Sequence, residues 1–233
     1  MLDPATPARN SPSHANLMRR PGTAMATEHV PDLLLIERSR AHEEPAIEAL
    51  IRRYARRLYR VAHSVVAEGP RAEAVVQEAY LAAFGDLARY EPTGKFAAWL
   101  TRLTYQQARL QRATSTRGAN GAPSAAGLSP EEPERHRLEQ AIARLPEVFR
   151  TVFVLRVLEG ISGIETAASL GLHETTVRTR LYRAHRRLDA DTLQRVRTAA
   201  GLLELQPARL DQLAVRVLAH LPRGTAALPP PGP

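Results

Sequence analysis

Five arginines on one predicted helix are the side chains of this sequence best suited to bind an anionic partner. They are Arg178, Arg180, Arg183, Arg186 and Arg187. Apolar residues of the same stretch recur at helical spacing, which predicts a face for packing; they are Val177, Leu181, Ala184 and Leu188. Guanidinium groups match phosphate oxygens and guanine edges. The pattern favours a helix that enters a DNA groove, and the alternative is a surface helix whose arginines are simply solvated.

A shorter helix precedes the arginine-rich one and completes a helix-turn-helix pattern. Ser162 and Glu165 form a predicted capping box at its start, and Gly171 supplies the left-handed backbone of a sharp turn. Ala167 is small where the two helices would cross, whereas Thr166 stands where an apolar residue would pack better. Two helices in this order are typical of DNA-binding domains, in which the second helix reads the major groove.

Sequence signatures of catalysis and metal binding are incomplete. His173-Glu174 lacks the second histidine of a zinc-protease helix, and Thr93-Gly94-Lys95 lacks the first glycine and the hydroxyl residue of a phosphate loop. The chain has no cysteine, which excludes disulfides, thiol catalysis and cysteine-ligated metals. The histidines are scattered without ligand spacing. We therefore predict no catalytic residue, no metal site and no cofactor, and an enzyme is the weakest interpretation.

Composition points to a nucleic-acid partner and away from the membrane. The 233 residues carry a formal net charge of +8, nearly all of it from arginine, since Lys95 is the only lysine. Nucleic acid is the commonest partner of such a basic chain. No apolar run approaches the ~18 residues of a membrane span, and the N-terminus lacks a signal-peptide core. We expect a cytoplasmic protein.

Helical periodicity predicts an all-α fold of two small helical domains joined by a flexible linker. The predicted segments are a disordered N-terminal tail (1–28), a first domain (29–114), a linker (115–128), a helix-turn-helix domain (129–190), a short helical extension (191–221) and a disordered tail (222–233). Met18 and Met25 are alternative start positions within the first tail. The extension has no role that we can predict from its residues.

The first domain contains three predicted helices. The first, from Pro45 to Val66, has one continuous apolar stripe, and the second runs from Ala72 to Leu87 after a break at Gly69-Pro70. Glu73, Gln77 and Glu78 are predicted on the exposed side of the second helix. The third helix, from about Lys95 to Thr114, carries aromatic, amide and arginine side chains that suit single-stranded DNA. Trp99 within it is interpreted as a buried anchor, or alternatively as a platform on which an unpaired base stacks.

In chain order, four segments resemble parts of the extracytoplasmic-function (group 4) sigma factors of bacterial RNA polymerase. Residues 72–81 look like the acidic helix of region 2.2, and residues 96–100 look like the aromatic start of region 2.4. Residues 145–156 are similar to the region 4.1 pattern, and residues 170–184 to the recognition helix of region 4.2. Their order and spacing make the resemblance specific over about residues 32 to 190.

The resemblance implies three binding surfaces. The surface for core RNA polymerase would comprise Glu73, Gln77, Glu78 and Leu81. The surface for the −10 promoter element would comprise Lys95, Arg102, Tyr105, Gln106, Arg109 and Arg112. The surface for the −35 element would comprise Glu174, Thr175, Arg178, Thr179, Arg180, Arg183 and Arg187. The implied partners are core polymerase, promoter DNA and an anti-sigma factor, with no insertion into a membrane.

Three positions depart from the pattern of these sigma factors. Ala74 replaces an acid of region 2.2, Gln106 replaces an asparagine of region 2.4, and Thr166 replaces an isoleucine of the helix-turn-helix. Two other functions therefore stay open. One is a helix-turn-helix regulator that acts without polymerase, and the other is a degenerate sigma-like module that sequesters a partner without starting transcription.

Overall fold

The computed structural model describes residues 30–91, 95–115 and 132–221. The predicted tails at 1–28 and 222–233 lie outside these ranges, as do nearly all of the linker 115–128 and the first residues, 129–131, of the predicted helix-turn-helix domain. Within the described ranges all regular secondary structure is helical, which confirms the predicted all-α class. None of the helices in these ranges is long and apolar enough to cross a membrane.

Four helices build the first half of the chain. They are α1 (Asp32–Arg40), α2 (Glu44–Val66), α3 (Gly69–Gly85) and α4 (Phe96–Ser115), with a short 3-10 turn at Leu87–Arg89. The predicted break at Gly69-Pro70 is wrong by a few residues. α2 ends at Ala67, which takes the left-handed conformation at φ 58°, and Pro70 lies in the first turn of α3. Proline is tolerated there because its missing N–H would have no helical partner.

Six helices are described in residues 132–221, of which the first four form the second half of the molecule and the last two form the C-terminal extension. They are α5 (Glu132–Ala143), α6 (Glu147–Phe153), α7 (Gly163–Leu170), α8 (Glu174–His185), α9 (Ala190–Thr198) and α10 (Pro207–His220). A π-helical turn, Val154–Leu158, continues α6. It widens the helix so that Glu159 N–H reaches back five residues to the carbonyl of Val154, at 3.0 Å. The arginine-rich helix is α8, and it ends at His185 rather than at the predicted Leu188.

Two hydrophobic clusters hold these helices together, and neither follows the predicted domain division completely. The larger cluster joins α1 to α4 but also takes in Ala167 and Leu170 of α7 and Leu213 and Val217 of α10. The smaller cluster joins α5 and α6 to Ala184 of α8 and to residues of α9 and the loop that follows it. The two predicted helical domains are therefore packed against each other, mainly through α4 and α7.

Thr166 on α7 is a poorly accommodated polar side chain of this packing. It is fully buried, and its hydroxyl has no hydrogen-bond partner within the described protein. Thr151 on α6 is buried to the same degree, but its hydroxyl contacts Ser64 Oγ at 3.0 Å and donates to the carbonyl of Glu147 at 3.1 Å. The expectation that an apolar residue would pack better at Thr166 agrees with this geometry, because a buried hydroxyl without a partner is costly.

We expect Thr166→Val to raise the free energy of unfolding by about 1 kcal/mol, because valine keeps the shape and removes the unpaired hydroxyl. Thr151→Val makes the same chemical change where the hydroxyl is hydrogen-bonded, and should lower the free energy of unfolding by about 1–2 kcal/mol. Urea denaturation of both variants measures the difference. A Thr166→Val protein less stable than the wild type would show that the Thr166 hydroxyl is bonded in solution.

Candidate nucleic-acid interface

The turn between α7 and α8 is built as the sequence predicts, except that only the serine half of the capping box forms, since the Glu165 carboxylate binds Lys95 and Arg57. Ser162 caps α7, since its Oγ accepts a hydrogen bond from the Glu165 N–H at 3.1 Å. Gly171 ends α7 in the left-handed conformation at φ 65°, which costs glycine nothing because it has no Cβ. The Glu165 carboxylate binds Lys95 and Arg57 of the first half of the chain. This turn fixes the angle at which α8 leaves α7.

One face of α8 is buried and the opposite face is open to solvent. Val177 and Ala184 are buried, and Leu181 is half-buried. The residues predicted to contact the −35 element lie on the other side and are exposed, except for the half-buried Arg180; they are Glu174, Thr175, Arg178, Thr179, Arg180, Arg183 and Arg187. The predicted division into an apolar back and a basic front is confirmed by these burial values.

The basic front of α8 is not neutralised by neighbouring acids. Within the described ranges no ion pair is formed by the three arginines of α8 or by Arg186 and Arg187, which follow it, while Arg195 on α9 and Arg112 on α4 form ion pairs. Arg187 lies over the ring of Phe149, 5.0 Å from the ring centroid. Uncompensated charge on an exposed helix face is suited to phosphate, because no internal partner must be displaced first.

Tyr182 belongs to the same surface, although the sequence patterns did not single it out. Its side chain is 62% exposed, the most of any described aromatic on this helix. It follows Arg178 by four residues, so the two share a face of α8. An exposed aromatic between arginines can make apolar contact with a thymine methyl group. The helical spacing from Arg178 was the signal that could have identified it.

The residues predicted for the −10 element are partly covered. Lys95 pairs with Glu165 at 3.0 Å, and Arg112 pairs with Glu147 at 2.9 Å. Tyr105 is buried, and burial followed by the charge of Glu147 raises the pKa of its hydroxyl. Three of the six residues predicted for the −10 element thus contact acids of α6 and α7, and their binding to DNA stays a prediction.

Three further residues of the predicted −10 set keep exposed side chains. They are Arg102, Gln106 and Arg109. Arg109 lies 5.8 Å from the centroid of the Tyr105 ring. Arg102 reaches across to α7, where a Cβ added to Gly171 would meet its guanidinium at 3.5 Å. Even the exposed cations of α4 therefore approach the helix-turn-helix.

An open cleft of about 640 Å³ lies beside the start of α4. Lys95, Trp99 and Arg102 line one side, and Ala168 of α7 closes another. Trp99 is half-buried and packs on Phe96 and Tyr90, with ring centroids 5.5 and 4.7 Å away. The two interpretations of Trp99 meet here, since the ring is an anchor of the core and also borders the cleft.

Glu165 is the carboxylate on which the contact between α7 and the first half of the chain is centred. Burial by itself raises its pKa, but the hydrogen bond from Lys95 and the charge of Arg57 outweigh burial, so the pKa lies below its ordinary value. The group is therefore ionised at neutral pH. It holds one cation of α4 and one of α2 against the helix-turn-helix.

The residues predicted to contact core polymerase lie along α3, and one of them is covered. Glu78 is exposed, Gln77 and Leu81 are half-buried, and Glu73 is only 8% exposed. The predicted exposure of Glu73 is wrong because α10 packs across α3, and Arg209 binds both carboxylate oxygens at 2.9 and 3.0 Å. Nothing near Glu73 in the sequence indicates this, since the two residues are 136 positions apart.

No group of three or more histidine, aspartate or glutamate side chains converges within the described ranges in a way that could hold a metal ion. The surfaces of α4 and α8 described above are rich in arginines, amides and aromatic rings. They are suited to binding phosphate and bases by charge and stacking.

Two family models match the chain. The Sigma-70 region 2 model matches residues 50–117, and the Sigma-70 region 4 model matches residues 135–188. The RNA polymerase sigma factor CarQ of Myxococcus xanthus is 30% identical over 182 residues, which cover 75% of this chain and all of CarQ. The ECF RNA polymerase sigma factor SigW of Bacillus subtilis is 25% identical, over 66% of this chain and 92% of SigW.

Another sigma factor and one solved structure are also similar to this chain. The ECF RNA polymerase sigma factor SigE of Mycolicibacterium smegmatis is 30% identical over 62% of this chain, and the match spans 60% of that protein. Among solved structures, CnrH in its complex with the cytosolic domain of CnrY aligns with a TM-score of 0.54 at 26% identity. That alignment covers 67% of this chain and 93% of CnrH.

Proposed function

We infer that this chain, which belongs to the extracytoplasmic-function group of the sigma-70 family of RNA polymerase sigma factors, directs core RNA polymerase to specific promoters and starts transcription there. The observation that carries this inference is the unpaired basic face of α8, on a helix-turn-helix that follows a region 2 helical unit in the same chain. The protein acts as an initiation factor and not as an enzyme. Its place is in the cytoplasm, with the polymerase.

The −35 element is bound by α8. Its exposed arginines meet no carboxylate within the described protein, and Glu174 and Thr175 stand at the N-terminal end that enters a groove first. Arg178 and Arg183 are the main base or phosphate contacts in this proposal, with Tyr182 between them. Arg180 is half-buried toward α4 and contributes less unless the two halves separate.

The −10 element is bound by α4 and the cleft beside it. The cleft offers Arg89, Lys95, Arg102 and the ring of Trp99 to a base that has left the stack, beside the acids Asp86 and Glu91. Because Lys95 and Arg112 are paired with acids of α7 and α6, these ion pairs must break before both side chains can reach DNA. DNA binding by both elements at once therefore requires α4 to move away from the helix-turn-helix.

Core polymerase is bound by the acidic face of α3, through Glu73, Gln77, Glu78 and Leu81. Glu78 is accessible, and Glu73 becomes accessible when α10 leaves. An anti-sigma factor is a further partner of this proposal. The solved structure of CnrH contains a second protein, the cytosolic domain of CnrY.

Run-off transcription tests the proposed function. The template carries the promoter upstream of the protein's own gene, and purified core polymerase is added with and without the protein. We expect a specific transcript only when both proteins are present. Binding to core and to promoter duplex without a transcript would favour the degenerate module, and binding to DNA without any binding to core would favour an independent regulator.

A further inference from the structure

The C-terminal extension contacts both halves of the molecule. α9 packs on the second half through the buried Val196, and Arg195 pairs with Glu134 of α5 at 2.7 Å. α10 packs on the first half through Leu213, Ala214 and Val217, all buried against α2 and α3. One segment of about thirty residues thus spans from the helix-turn-helix unit to the polymerase-binding unit.

The loop between α9 and α10 is anchored at the centre of the molecule. Arg60 of α2 is buried and donates to the carbonyl of Leu202 at 2.9 Å and to Glu204 at 2.9 Å. Leu202 and Leu203 are buried, and Leu203 takes a left-handed conformation at φ 51°. A bulky residue adopts that conformation only where its surroundings demand it. The path of the extension is therefore specified by tertiary contacts.

α10 covers the acidic face of α3 with arginine side chains. Arg209 binds both oxygens of Glu73, and Arg216 lies 3.8 Å from the same carboxylate. Asp211 of α10 pairs with Arg52 of α2 at 2.7 Å and fixes the register of the helix. The apolar residues between these charges seat the helix. A polymerase surface that binds the acidic face of α3 must likewise offer cations beside apolar groups.

We propose that the C-terminal extension is an intramolecular competitor for core polymerase, seated on the surface of α3 that polymerase takes. This inference rests on the proposed function, in which Glu73 contacts core. Polymerase and α10 exclude each other because α10 leaves Glu73 only 8% exposed, so a cation of polymerase cannot reach this carboxylate while the helix is seated. Departure of α10 also removes one of the bridges between the two halves, which eases the separation of α4 from α7.

Affinity for core polymerase tests the competitor. Polymerase binds the molecules in which α10 is detached, so the apparent dissociation constant equals the intrinsic one divided by the fraction of such molecules. A fraction of about one tenth weakens binding about tenfold. We expect a chain shortened to residues 1–205 to bind core about tenfold more tightly than the full chain. Arg209→Ala plus Arg216→Ala in the full chain should give part of that gain in affinity. This double variant tests the proposal also when the shortened chain does not fold.

A matched control changes the net charge by the same amount on the outer face of α10. Gln212 and Val215 are both exposed, so Gln212→Glu plus Val215→Glu also lowers the net charge by two. This variant should bind core like the wild type. Equal affinities for the wild type, the shortened chain and the Arg209/Arg216 variant would overturn the proposal while leaving the sigma factor assignment intact. Failure of every variant to bind core would remove the proposed function and the competitor together.

A distance measurement gives an independent readout. The chain has no cysteine, so spin labels can be placed cleanly at Arg56→Cys on α2 and Val215→Cys on α10, both at exposed positions. We expect the distance between the labels to lengthen and broaden when core polymerase is added. A distance that stays unchanged in the core-bound protein would overturn the proposal, because α10 would then remain seated during binding.

Discussion

Replacing Arg178 and Arg183 together by alanine is expected to reduce transcription from the cognate promoter by about 100-fold. Each well-formed arginine contact to a base edge contributes about 1–3 kcal/mol of discrimination, and two such losses reach this range. Both side chains are exposed on α8 and neither has an ion pair within the described ranges, so their removal breaks nothing inside the protein. Run-off transcription with purified core polymerase measures the effect.

Two controls separate base reading from net charge. Arg144 and Arg197 are exposed arginines of the same half of the chain, outside α8, and their double alanine variant carries the same net charge. That variant should transcribe within a fewfold of the wild type. A template with a scrambled −35 element should abolish the difference between the wild type and the Arg178/Arg183 variant. Equal losses of transcription in the Arg178/Arg183 and Arg144/Arg197 variants would contradict recognition of the promoter sequence by α8.

Arg60→Ala is expected to destabilise the protein by about 3–5 kcal/mol, which is a large part of the usual stability of a small protein. Arg60 is 5% exposed and donates to Glu159 at 2.7 Å, in addition to its bonds to Leu202 and Glu204. Its removal leaves the buried carboxylate of Glu159 with only the longer contacts to Arg57 and Arg56, at 3.7 and 3.9 Å. An unpaired buried charge is the main reason for the cost.

Urea denaturation followed by circular dichroism measures this loss, and two variants calibrate it. Arg60→Lys keeps the charge but loses the planar fork that reaches several acceptors, so we expect an intermediate loss of about 2 kcal/mol. Arg52→Ala removes a more exposed arginine with two ion pairs and should cost about 1 kcal/mol or less. An Arg60→Ala protein as stable as the Arg52→Ala protein would show that the anchoring of the loop at Leu202 does not hold the molecule together.

Features that depend on neighbouring residues along the chain could be predicted from the sequence. The all-α class, the Ser162 cap, the turn at Gly171 and the two faces of α8 each follow from residues within one or two helical turns. Such contacts are set by helical geometry, because side chains three and four apart share a face. The helix bounds shifted at helix ends, as at Pro70, which was interpreted as a break, and at His185, where α8 ends before Leu188.

Which surfaces are accessible depends on tertiary contacts, and it could not be predicted from the sequence. The pattern of α3 identified its acidic residues but not the helix that covers Glu73, and the pattern of α4 identified Tyr105 but not its burial against α6. The same holds for α10, in which Leu210, Leu213 and Val217 recur at helical spacing without indicating the helices on which they pack. Periodicity tells which face of a helix is apolar, whereas the choice of the helix that packs on it depends on shape and charge far along the chain. Arg209 meets Glu73 across 136 positions of the chain, and the loop that leads to α10 is held by Arg60.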